Sequence, residues 1–140
     1  MTEPRLHITE YLRDQMRYDK LAGPVPRVLV LESQYWLDSA CRNACQLLGW
    51  EVQTAPVVTE GVMSREQLTN FFGLLIRFRP DFILAVNMAG MDERGMFARL
   101  FEDLQIPLVS WFVDDPRTIL MGRGVYTNPY SIACTWERAY

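Results

Sequence analysis

The 140-residue chain is one domain long, and its 49% apolar and 22% charged residues are an ordinary globular balance that excludes a disordered chain. Its 17 acidic and 14 basic residues leave a formal charge of −3, so there is no basic footprint for nucleic acid. No apolar run approaches the roughly 20 residues that span a bilayer.

His7 is the single histidine, which excludes a Ser-His-Asp triad, a Cys-His dyad and most zinc sites within these residues. Cys41, Cys45 and Cys134 cannot all pair, and the stretch around Glu3, Arg5, His7 and Glu10 lacks the apolar run of a signal peptide. A reduced cytoplasm is the expected compartment.

In chain order, residues 8–21 read as a polar helix with Ile8, Tyr11, Leu12 and Gln15 on one side. Arg27 to Leu31, after Pro24 and Pro26, is short and nearly all apolar, the signature of a buried strand. A helix follows with Leu37, Cys41, Ala44 and Leu48 at helical spacing and Gly49 at its C-terminal cap. On that apolar face Cys41 and Cys45 read as core rather than as metal ligands.

Trp50 to Ala55 alternates, as an edge strand does. Ser64 and Gln67 form a capping box for the next helix, whose inner face is Leu68, Phe71, Phe72, Leu75 and Ile76. Phe82 to Val86 is a wholly apolar strand after Pro80 and Asp81. Asp92 is the expected N-cap of a helix with Phe97, Leu100, Phe101 and Leu104 facing inward. Leu108 to Val113 and Ser131 to Thr135 are the fourth and fifth strands.

Strand starts about one βα unit apart predict a three-layer, doubly wound α/β fold. Its five-stranded, mostly parallel Rossmann-like sheet spans residues 27–140, behind a helical extension over residues 1–26. The sequence stops at Tyr140, a few residues past the fifth strand and before a covering helix, so it is expected to be a fragment of a longer protein.

Ligands of such folds bind beyond the carboxyl ends of the strands. The first of these loops, Glu32-Ser33-Gln34-Tyr35-Trp36, has no glycine, so the dinucleotide and phosphate-loop motifs are absent. Ser33, Gln34 and Tyr35 can hydrogen-bond a small polar ligand; Ser33 as a helix cap with Trp36 packed beneath it is the plainer reading. Asn87 and Gly90 follow the third strand, with Gly90 able to take positive φ near a ligand or simply to turn the chain. Asp114-Asp115-Pro116-Arg117 follows the fourth, either as a carboxylate pair with one raised pKa or as an Asx-Pro turn with Arg117 as counter-ion. Receiver domains also use paired aspartates, but after the first strand, with another after the third and a lysine after the fifth. The corresponding positions here hold Glu32, Asn87 and no lysine, so a phospho-acceptor is not expected.

Pro80-Asp81-Phe82-Ile83-Leu84 with Asn87 and Gly90, and then Ile106 to Pro116 containing Trp-Phe-Val-Asp-Asp-Pro, resembles the N-terminal half of CgeB-like glycosyltransferases. The match covers most of residues 27–138, with Glu137 and Tyr140 standing where that family has an acid before a tyrosine. The resemblance implies the acceptor-side domain of a GT-B enzyme. Its nucleotide-sugar donor would be held by a C-terminal domain that the sequence does not include, and its acceptor would be a glycan or protein. On that reading Asp114 and Asp115 are the catalytic pair, one of them, Asp115 before Asp114, being the base or an acceptor ligand, while Ser33, Gln34, Tyr35, Asn87, Gly90, Arg117 and Glu137 meet substrate. No metal or other cofactor is expected, and the chain alone is expected to be inactive. The alternative is a non-catalytic α/β ligand-binding or protein-interaction module. An apolar surface is expected beside the fifth strand, where the missing helix or half should pack, with self-association of the fragment through it.

Overall fold

The computed structural model describes residues 6–56, 63–88, 92, 95–121 and 129–136. Five helices and five strands alternate through them: α1 (Glu10–Met16), β1 (Arg27–Glu32), α2 (Trp36–Leu47), β2 (Glu51–Pro56), α3 (Arg65–Phe78), β3 (Phe82–Val86), α4 (Met96–Asp103), β4 (Leu108–Phe112), α5 (Pro116–Leu120) and β5 (Ser131–Thr135). The strands form one sheet in the order β2-β1-β3-β4-β5, and every neighbouring pair is parallel. This is the expected doubly wound α/β architecture.

The period of two along each strand sorts side chains between two cores. Leu29 and Leu31 of β1, Ile83 and Ala85 of β3 and Leu108 of β4 join α1, α3 and α4 in the larger core. Phe71 of α3 is its aromatic hub, meeting Phe97 edge-on at 5.7 Å and Phe101 at 6.3 Å. Val28, Val30 and Val86 face the other way, against Cys41 and Cys45 of α2. The two cysteines are therefore core residues, and burial pushes both thiols up.

Several ends differ from the sequence expectation. Helix α1 is shorter than residues 8–21, because Thr9 caps it by accepting the Leu12 N–H and the chain leaves helical geometry at Arg17. Helix α4 starts after Gly95, which takes a left-handed cap conformation at φ 69°, and not directly after Asp92. Asp92 still serves the helix start, its carboxylate accepting from the N–H groups of Met96 and Phe97 at 2.9 and 2.8 Å. The Ser64–Gln67 capping box forms reciprocally, at 3.1 and 2.8 Å.

The two sheet edges differ. β2 carries Glu51 at its start and Pro56 at its end, and such residues discourage pairing with another chain. β5 has no charged residue, and most of it is exposed. Register places Ile132 beside Val109 and Cys134 beside Trp111 on the face that carries α2. No described helix covers that face over β4 and β5: Val109, Trp111 and Val113 are only partly buried, Ile132 is 50% exposed, and Trp136 just beyond the strand is 69% exposed.

Candidate functional site

The strand order reverses between β1 and β3, whose carboxyl ends are the usual ligand position of this architecture, and β4 lies beside β3. At the end of β1 the chain turns through Gln34 at φ 63° into α2. The organiser of that turn is Asp38, which is 4% exposed. Its Oδ2 accepts from the Ser33 N–H at 2.7 Å, the Ser33 hydroxyl at 3.0 Å and the Tyr35 N–H at 3.2 Å. Ser33 is thus held by Asp38 and does not cap the helix; Tyr35 occupies the cap position. Trp36 is 69% exposed and packs no core, which corrects the expected helix entry. Asp38 was missed in the sequence, although an acid in the first turn of a helix is an ordinary N-terminal signal.

At the end of β3, Asn87 and Met88 both take left-handed backbone, at φ 51° and 53°. Asparagine tolerates this conformation better than most residues. Asn87 Oδ1 accepts from the Val113 N–H at 3.0 Å, and its Nδ2 donates to Asp114 Oδ2 at 2.7 Å. The amide therefore joins the end of β3 to the end of β4.

Asp115 turns away from Asp114 and caps α5, with Pro116 in the first helical position. Its carboxylate takes a two-pronged grip from Arg117, with Nε at 3.0 Å and Nη2 at 2.7 Å, and also accepts the Arg117 N–H at 2.9 Å. The Arg117 side chain holds this carboxyl below its ordinary range. The expected base is the opposite of what these contacts produce. Asp115 is a firmly ionised cap, and the Arg117 guanidinium is committed to it rather than open to a substrate anion. Asp114 lies exposed under the Asn87 amide, and nothing places it against Asp115 as a proton-sharing pair.

The structure thus joins Asn87 to Asp114 and Ser33 and Tyr35 to Asp38, at the ends of neighbouring strands, and ties Arg117 to Asp115 in the turn after β4. Gly90 and Glu137 lie outside the described residues. Among the described residues no group of three His, Cys, Asp or Glu side chains is placed to hold a metal ion. A phospho-acceptor is excluded at the end of β3, where Asn87 presents an amide and not a carboxylate. Lys20, the sole lysine, lies before β1 at the opposite end of the sheet.

No protein-family model matches the chain, and no curated protein matches it. Among solved structures it is similar to the signal receiver domain of a modulated diguanylate cyclase from Desulfovibrio desulfuricans G20, described as an example of alternate folding. The identity is 21% and the TM-score 0.43, over 76% of this chain and 84% of that one, a likeness of fold alone. The expected role as a glycosyltransferase domain served by a nucleotide-sugar donor is corrected by this finding: the structure that the chain is similar to is described as a receiver domain. Within the chain itself, Asp115 is held by Arg117 and is not the free base expected of an acceptor-side catalytic domain. No described helix is long and apolar enough to cross a membrane.

Proposed function

We propose that this chain is a non-catalytic α/β interaction module whose docking surface is the exposed edge of β5 with the adjoining face of β4 and β5 that no described helix covers, and that a second copy of the chain is its first partner. The observation that supports this most is the contrast between the sheet edges. β2 is guarded by Glu51 and Pro56, whereas β5 offers an uncharged, exposed edge flanked by Ile132 and Trp136. An exposed edge strand with apolar side chains is a template for another strand. A two-fold axis would let two β5 edges meet with each supplying the same surface, and no charge on either strand opposes their approach. With its three cysteines unpaired, the module belongs in a reducing compartment such as the cytoplasm.

Two side chains at the strand ends are already engaged, which supports the non-catalytic part of the reading: Asp115 is held by Arg117, and Asn87 bridges two strands. Sedimentation velocity over a range of protein concentration tests the docking surface. The wild type should associate reversibly, and Ile132→Lys should remain monomeric with an unchanged far-UV spectrum. A wild type that stays monomeric at the highest concentration would overturn self-docking through β5.

A further inference from the structure

The amino-terminal end of the sheet holds a second cluster, away from the carboxyl ends of the strands. Tyr18, in the segment between α1 and β1, donates its hydroxyl to the Pro80 carbonyl just before β3. Around its ring stand three cations: Lys20 Nζ at 3.9 Å from the centroid, the Arg79 guanidinium at 4.7 Å and that of Arg27 at 5.5 Å. Cation–π attraction explains one such neighbour; three like charges at one ring repel one another.

Two carboxylates face this group. Asp81 is fully buried, and its oxygens are taken by the Leu21 and Arg27 N–H groups and by Arg27 Nη2. Asp19 is exposed and acts on Lys20 less than Arg79 or Asp81 does. Tyr18 adds no negative charge, since burial, the largest influence on it, pushes its hydroxyl far above the ordinary phenol range. Lys20 spends one donor on the Met16 carbonyl at 2.6 Å, and among the described residues Arg79 forms no ion pair. One excess positive charge remains, with donors of Lys20 and Arg79 unspent.

Arg79 also sits where its backbone is costly. It closes α3 in left-handed conformation at φ 52°, a place where glycine or asparagine is the ordinary choice. Packing does not account for an arginine there, because the residue is exposed.

The geometry points to a phosphate-binding site formed by Lys20, Arg27 and Arg79 over Tyr18, taking inorganic phosphate or the phosphate of a small monoester. A dianion there would meet the excess positive charge, receiving a compact ammonium and a guanidinium fork together. The site is independent of the β5 face, since the two lie at different parts of the sheet.

Calorimetric titration with inorganic phosphate and with methyl phosphate, at constant ionic strength, tests the proposal. Saturable binding is expected for at least one of them, weakened about tenfold or more in Arg79→Gly and in Lys20→Gln. Arg79→Gly is the decisive variant, since glycine suits the left-handed position and should keep the melting temperature while binding falls. Tighter binding of methyl phosphate would support the site and assign it to an ester; tighter binding of inorganic phosphate would support it and assign it to the free ion. No binding of either probe, or binding undiminished in both variants, would overturn it.

Discussion

The side-chain amide of Asn87 bridges two strand ends, donating to Asp114 Oδ2 at 2.7 Å while accepting from the Val113 N–H at 3.0 Å. One side chain thereby fixes how the loops after β3 and β4 leave the sheet. Replacing it with aspartate keeps shape and tolerance of positive φ, but turns the donor into a second carboxylate facing Asp114. Asn87→Asp should destabilise the fold by about 1–2 kcal/mol at neutral pH. The loss should shrink as pH falls toward about 4 and one of the two carboxylates protonates. Urea unfolding at the two pH values checks both parts, and equal loss at each would contradict the bridge.

Asp81 should dominate the acid limb of stability. Burial, the largest influence on it, works to raise its pKa, but the Leu21 and Arg27 N–H groups and the Arg27 guanidinium together outweigh burial and lower it. A lowered carboxylate contributes stability above the unfolded-state value of about 4, and that stability is lost as pH falls through the folded value. Asp81→Ala strands those donors and should cost roughly 3–5 kcal/mol at neutral pH. Asp81→Asn should flatten the pH dependence below about pH 4. Thermal melts from neutral to acid pH measure both.

Much of this molecule was legible from its residues, and the part that was not has a physical cause. Buried parallel strands announce themselves as apolar runs, so Arg27 to Leu31 and Phe82 to Val86 stood out, and the Ser64–Gln67 box marked its helix. The candidate site was less legible because its contacts are set by angles that composition does not carry. Adjacent Asp114 and Asp115 suggested mutual repulsion, yet the chain turns between them. One carboxylate goes to Asn87, 27 residues away in sequence, and the other to Arg117, two residues on. The Tyr18 cluster left no local pattern, since Tyr18, Arg27 and Arg79 come from three segments.

The aromatic core should be the costliest place to truncate. Phe101 is 1% exposed and packs against both Phe71 and Phe97. Phe101→Ala should lose about 3–5 kcal/mol, and Phe101→Leu, which keeps more volume, should lose less. Denaturant midpoints compare them directly; an alanine variant within 1 kcal/mol of wild type, on the order of an ordinary surface change, would contradict this packing.

The three thiols should separate by reactivity. Cys41 and Cys45 are buried with raised pKa values, whereas Cys134 is exposed on β5. Alkylation of the native protein should label Cys134 first, and denaturant should release the other two. Mass spectrometry after timed quenching reads the order, and early labelling of Cys41 would show that α2 does not cover its face of the sheet.

Docking through β5 is tested most directly by amide hydrogen exchange at low and high protein concentration, with the β2 edge as internal control. The outward N–H groups of Ser131 to Cys134 should exchange more slowly as concentration rises, because a second strand then pairs with that edge. Those of Glu51 to Ala55 should not change, and Ile132→Lys should abolish the effect at β5. Exchange at β5 that is independent of concentration, or protection that rises equally on both edges, would contradict a specific docking surface on β4 and β5.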